Sequence, residues 1–107
     1  RRLRKFVGYR GEEDEEGRPH GEGRFVFWDA SSYEGEWEHG TFHGHGEIVW
    51  ADGSSYAGEW REGQQHGQGV HEGSHGIVHD GEWVADRPHG AGRRTMPNGS
   101  VLEGTLT

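Results

Sequence analysis

The chain holds 107 residues with a formal net charge of −8, 21 glycines, 5 tryptophans, 3 tyrosines and no cysteine; that length fits one domain and excludes a large enzyme with a substrate pocket beside a separate core. Only sixteen residues are Leu, Ile, Val or Phe, a scarcity that with the charge would ordinarily signal disorder. The apolar surface gathered into large flat rings, and the frequent turn residues, describe short strands and many turns instead.

Arg1, Arg2, Arg4 and Lys5 make the opening basic, leaving the other 102 residues a net charge of −12. Residues 1–8 read as a basic segment outside the repeat, either a solvated chain end or a contact for an acidic partner or lipid. From residue 9 to 107 the sequence repeats, with units starting near 9, 33, 56, 79 and 102. Tyr9-Arg10-Gly11 opens a degraded copy, one residue too far upstream. His-Gly then recurs at 20, 43, 66 and 89, every 23 residues, each time followed by a second glycine at 23, 46, 69 and 92. Ahead of these stand Tyr33-Glu34-Gly35-Glu36-Trp37, Tyr56-Ala57-Gly58-Glu59-Trp60 and His79-Asp80-Gly81-Glu82-Trp83. Leu102-Glu103-Gly104 begins a last, shortened copy.

Within a unit, residues 32–38 alternate large apolar or Gly with acidic side chains at period 2, the pattern of a strand with one dry face carrying Tyr33, Gly35 and Trp37. Residues 39–44 supply turn glycines, Glu47 to Trp50 is β-branched and aromatic as a second strand should be, and Asp52-Gly53, like Asn98-Gly99, is a tight-turn dipeptide. Each unit is therefore a hairpin joined to the next by another hairpin turn. The fold class is all-β, a meander in which every strand pairs with its neighbours. Local irregularity is expected around Val70 to Ser74, which lacks the aromatic residue found at Trp50.

The pattern Y-x-G-x-W-x-x-G-x-x-H-G-x-G, met by Tyr33 to Gly46 and by Tyr56 to Gly69, resembles the MORN (membrane occupation and recognition nexus) repeat; His79 and Asp86 depart from it. The resemblance implies an elongated single-layer antiparallel sheet used as a scaffold or peptide-binding surface. About ten strands at roughly 4.8 Å spacing would extend on the order of 45 to 50 Å. Such a sheet encloses no core and would be held by ladders of Tyr over Tyr and Trp over Trp at two-strand intervals. Its dry face would leave aromatic surface for a partner.

The histidines at 20, 43, 66 and 89 invite a metal reading, but equivalent residues two strands apart are separated by roughly 9.5 Å, too far to share one zinc ion; they read as structural turn residues. His43 and His45 share a face without a third ligand. Glu36, Glu59 and Glu82 read as the wet face, since a one-layer sheet offers no cleft for paired catalytic carboxylates. No catalytic residue, cofactor site or metal site is expected.

The expectation is thus a non-enzymatic scaffold that binds other proteins, by a helix or extended segment laid on the aromatic face or by a second copy packing edge to edge. Tyr33, Trp37, Trp50, Tyr56, Trp60 and Trp83 are the candidate contact residues, because rigid aromatics carry most interface energy. The acidic balance repels phosphate, which argues against nucleic acid and direct membrane binding. Likeness to radial-spoke-head and other axonemal members of the family places the chain in the cytoplasm, in the cytoskeleton of a cilium or flagellum. The rival readings are a membrane-tethering module and an accessory domain of a larger enzyme, for an opening at Arg1 without methionine reads as a piece of something longer.

Overall fold

The computed structural model describes residues 2–6 and 8–106, with side chains described over 8–105. Among them there is no helix. Ten strands follow one another: β1 (Arg2–Phe6), β2 (Tyr9–Glu13), β3 (Pro19–Val26), β4 (Ser32–Glu38), β5 (Thr41–Val49), β6 (Ser55–Arg61), β7 (Gln64–Glu72), β8 (Val78–Val84), β9 (Arg87–Thr95) and β10 (Val101–Leu106). They form a single sheet in chain order, antiparallel throughout, whose extents are 47 × 25 × 15 Å. The basic opening, read from the sequence as lying outside the repeat, supplies strand β1; its side chains lie outside the described residues.

Two turn types alternate. Within the later units the strands are joined by two-residue turns at His39-Gly40, Glu62-Gly63 and Ala85-Asp86, with positive φ at both positions, the geometry whose twist matches that of the strands. Between units the turns span five residues: Trp50 N–H donates to Ser54 O at 2.8 Å and Gly53 N–H to Trp50 O at 3.0 Å, and the same two bonds recur at 27–31, 73–77 and 96–100. Asp52-Gly53 and Asn98-Gly99 are therefore the third and fourth residues of longer turns, not tight two-residue turns. Asp52 Oδ1 accepts from the Ser54 amide at 2.9 Å, which fixes the bend locally. The hairpin β2–β3 also takes the five-residue form, with Asp14 N–H donating to Arg18 O and Gly17 N–H to Asp14 O. That turn absorbs the extra residue ahead of His20, so the first copy is a regular hairpin with a longer turn. The irregularity expected after Val70 is likewise absent from the backbone, because β7 runs on to Glu72 and the turn 73–77 is of the common type.

The His-Gly-x segments are not turns. Between β4 and β5 the register steps from Gly35↔Gly46 to Trp37↔Phe42, so His43, Gly44 and His45 stand opposite Glu36 alone, and the same step recurs in β2–β3, β6–β7 and β8–β9. The repeated histidines thus sit in β3, β5, β7 and β9, each at the start of a β-bulge. Gly44 lies at φ 67°, where an L side chain is strained, and a methyl group there would run into the Glu36 carboxylate.

An unbroken row of glycines crosses nine strands: Gly11, Gly23, Gly35, Gly46, Gly58, Gly69, Gly81, Gly92 and Gly104 pair in turn. On the dry face the tyrosine rings lie over this row, and a methyl group on Gly46 would collide with the Tyr33 ring. The buried residues are Tyr9, Tyr33, Trp37, Ile48, Tyr56, Trp60 and Trp83, with Phe25, Phe27, Phe42 and Trp50 packed against them. A one-layer sheet encloses a dry core here, contrary to the expectation, because rings lying flat on glycine shield one another in the plane of the sheet.

Candidate functional site

The six aromatic residues proposed as a contact surface stand as follows. Tyr33 and Trp37 lie on β4, Tyr56 and Trp60 on β6, Trp83 on β8, and Trp50 opens the turn 50–54. Tyr33 and Tyr56 are 0% exposed and Trp37, Trp60 and Trp83 are 5% exposed, so these five form the core; only Trp50 is half-buried, its ring 5.7 Å from that of His71. They alternate as a zipper of edge-to-face contacts. Trp37 packs on Tyr9 at 5.5 Å and Tyr33 at 5.1 Å, Trp60 on Tyr33 at 5.5 Å and Tyr56 at 5.1 Å, Trp83 on Tyr56 at 5.2 Å and His79 at 5.4 Å. The ladder expected of like on like is one of Tyr on Trp, the geometry the ring quadrupoles favour.

The tyrosine hydroxyls and the indole N–H groups of the zipper are engaged by backbone. The indole N–H groups of Trp37, Trp60 and Trp83 donate to Gly23 O, Gly46 O and Gly69 O of the preceding unit at 2.9 to 3.0 Å. The hydroxyls of Tyr9, Tyr33 and Tyr56 donate to the carbonyls of Glu12, Glu36 and Glu59. Burial, with Glu59 beside it, pushes the Tyr56 hydroxyl up to about 12, and burial raises those of Tyr33 and Tyr9 as well.

The glutamates read as a wet face turn back onto the bulges. Glu12, Glu36 and Glu59 carboxylates accept the amides of Glu22, His45 and Gln68 at 2.9, 2.7 and 3.2 Å, a use that requires an acid at the position facing the bulge. The face opposite the zipper carries exposed Arg24, Glu34, Glu47, Ala57, Val70 and Asp80, paired in one row across β3 to β8. Trp28, fully exposed at the turn after β3, was not singled out in the sequence; the signal available was a tryptophan off the repeat's positions, where Ala51, Ser74 and Pro97 stand in other units.

A second feature gathers at the edge formed by the in-unit turns. Asp14, His20 and His39 offer ligand atoms within 4.8 Å of one another, the one such group among the described residues. Asp14 Oδ2 lies 2.7 Å from His39 Nδ1 and 2.8 Å from Arg18 Nε. Asp14 Oδ1 accepts the amides of Glu16 and Arg18. The His39 bond first, then these amides and Arg18, hold the carboxyl well below its usual range against some desolvation. The His39 amide donates to His20 Nδ1 at 3.1 Å, and the two imidazoles stack with centroids 4.4 Å apart. Only His20 belongs to the repeated ladder; Asp14 and His39 come from turns, which is why repeat spacing did not reveal them.

The surface left outside the zipper carries charged side chains together with exposed Val26, Trp28, Val49, Val70 and Val84. No curated protein shows a match to the chain. The family described as MORN repeat matches it over residues 15–27, 33–55, 56–74 and 79–101. With the hairpin, the bulge and the Tyr–Trp zipper repeated in register with those matches, the chain belongs to the MORN-repeat family.

Proposed function

We propose that the chain is a non-enzymatic, cytoplasmic scaffold that binds other protein subunits of a cytoskeletal assembly, with a radial-spoke-like complex of a ciliary or flagellar axoneme as its setting. MORN repeats are protein- or membrane-interaction modules. The observation that supports a scaffold is the division of the sheet. One face is closed by its own aromatic core, while the other presents charged side chains interspersed with alanine and valine along a body 47 Å long. Contact by the five buried aromatics would require the core to open, so the binding face is placed on the row through Glu34 and Glu47 instead. Acidic side chains there favour a partner segment with a basic stripe.

The test is affinity purification from the native source, comparing the parent chain with Glu34→Lys/Glu47→Lys. The reading expects axonemal subunits to be captured by the parent, captured at least tenfold less by the double variant at low salt, and the variant's melting temperature to stay within about 2 °C of the parent's. Undiminished capture by the variant would remove the binding face from this row. Retention on anionic vesicles instead of by protein would favour membrane tethering and overturn the assignment.

A further inference from the structure

We propose that Asp14, His20 and His39 bind one divalent transition-metal ion of the zinc class, joining the first hairpin to the second at the edge of the sheet. The donor set is two imidazole nitrogens and one carboxylate oxygen, which suits zinc and its neighbours and is poor for calcium or magnesium. Their ligand atoms already lie within 4.8 Å of one another. Donors placed 2.0 to 2.2 Å from one ion sit roughly 3 to 3.5 Å apart, so adjustments of about 1 Å by surface side chains close the site.

Three local features converge there and nowhere else among the described residues. The β2–β3 turn has five residues where the other in-unit turns have two, and the extra length carries Asp14 to the edge. His39 holds the first position of a two-residue turn at φ 47°, where the later units place Glu62 and Ala85. His20 is the ladder histidine of the same unit, packed against His39. His43, His66 and His89 repeat His20 but lack an Asp14, so the ladder as a whole does not converge while its first member does.

The turn backbone already orients the Asp14 carboxylate. Oδ1 of Asp14 is tied to two turn amides, leaving Oδ2 to His39 and Arg18. Arg18 occupies part of the position an ion would take, with Nε on Asp14 Oδ2 and Nη2 3.4 Å from His39 Nδ1. Its side chain is 46% exposed, so it can swing into solvent as the ion enters. Coordination through His20 Nδ1 trades the bond from the His39 amide for the metal. The open cleft around the cluster, lined by Glu13, Glu15 and Glu16 as well, gives the ion an entry path and leaves its remaining positions to water or an exposed carboxylate.

The experiment uses the full chain stripped with chelator and titrated with zinc by calorimetry, alongside calcium. The expected result is one equivalent of zinc bound at micromolar dissociation constant or tighter and no calcium, with a melting-temperature rise of about 10 to 15 °C at a hundredfold excess over that constant. Imidazole resonances of His20 and His39 should move together. Asp14→Asn keeps the turn amides' acceptor, and His39→Asn keeps a residue that tolerates the left-handed turn. Each should weaken zinc at least tenfold and leave the metal-free melting temperature within a few degrees, whereas His89→Asn should change nothing. Absence of saturable zinc binding, equal zinc binding by the Asp14 and His39 variants, or equal uptake of calcium would reduce the cluster to an ion-pair network and overturn the proposal.

Discussion

At the scale of single residues, the repeat's tyrosines and tryptophans are each held by several buried contacts. Tyr33 illustrates the type. Its ring is fully buried, stacked on Phe42 at 3.9 Å and met edge-on by Trp37 and Trp60, and its hydroxyl donates to Glu36 O at 2.8 Å. Tyr33→Phe keeps the ring and removes that donor, leaving a carbonyl inside the bulge without its partner. The expected loss is about 1 to 2 kcal/mol, read as a shift of the urea midpoint with the slope unchanged; a loss near zero would mean that water replaces the hydroxyl. The identity of these residues was legible in the sequence because they recur every 23 positions. Their inward role was not, because periodicity gives the face a side chain takes and not how far its neighbours cover it. Tyr33 and Trp37 were assigned to the correct common face yet expected to be open to a partner, and the glycine row that lets rings lie down and cover one another is visible only once register is known.

At the scale of the element, the hairpin owes its shape to a bulge closed by a carboxylate. His43, Gly44 and His45 stand opposite Glu36, and the amide of His45 is taken by Glu36 Oε1 at 2.7 Å. This explains why the acid stands immediately before the tryptophan in unit after unit, where alternation alone would accept any polar residue. Glu36→Ala strips the acceptor from that amide and is expected to cost about 1 to 2 kcal/mol. Hydrogen exchange should be faster at His45 than in the parent, with the amides of β8 and β9 unaffected; uniform acceleration along the chain would instead assign Glu36 to global stability. Apart from β1, which was read as lying outside the repeat, the strands, their order and their antiparallel sense were readable from glycines and alternation. Turn identity was not, since Asp52-Gly53 has the composition of a two-residue turn while the strand register makes it part of a five-residue one, and His39-Gly40, with a weaker signature, takes the tight form.

At the scale of the whole molecule, each hairpin touches only its neighbours, so stability is the sum of units and of the Trp–Tyr contacts between them. The zipper is weakest where β8 brings His79 to the tyrosine position. His79 is 7% exposed, its Nδ1 has no hydrogen-bond partner among the described residues, and its neighbours across the sheet are His71 and Arg94. Burial, then Arg94, hold its imidazole below the ordinary histidine value; Asp80 opposes them and His71 adds to them. The folded chain therefore keeps His79 neutral while the unfolded chain takes up a proton as the pH falls below about 6.5, so this residue's contribution is present above that pH and is lost as acidity increases through the folded value. His79→Tyr should reverse the deficit. Gly92 lies beneath the ring as Gly46 lies beneath Tyr33, and a tyrosine hydroxyl would reach the carbonyl of Glu82 as its counterparts reach Glu36 and Glu59. The variant is expected to gain about 1 to 2 kcal/mol at pH 7 from the added ring and the recovered hydrogen bond. Its advantage over the parent should widen between pH 7 and 5. Thermal melts of both chains across that interval decide the matter: a constant difference would mean that His79 titrates alike in both states, and a destabilised variant would mean that His71 and Arg94 already fill the space the larger ring requires.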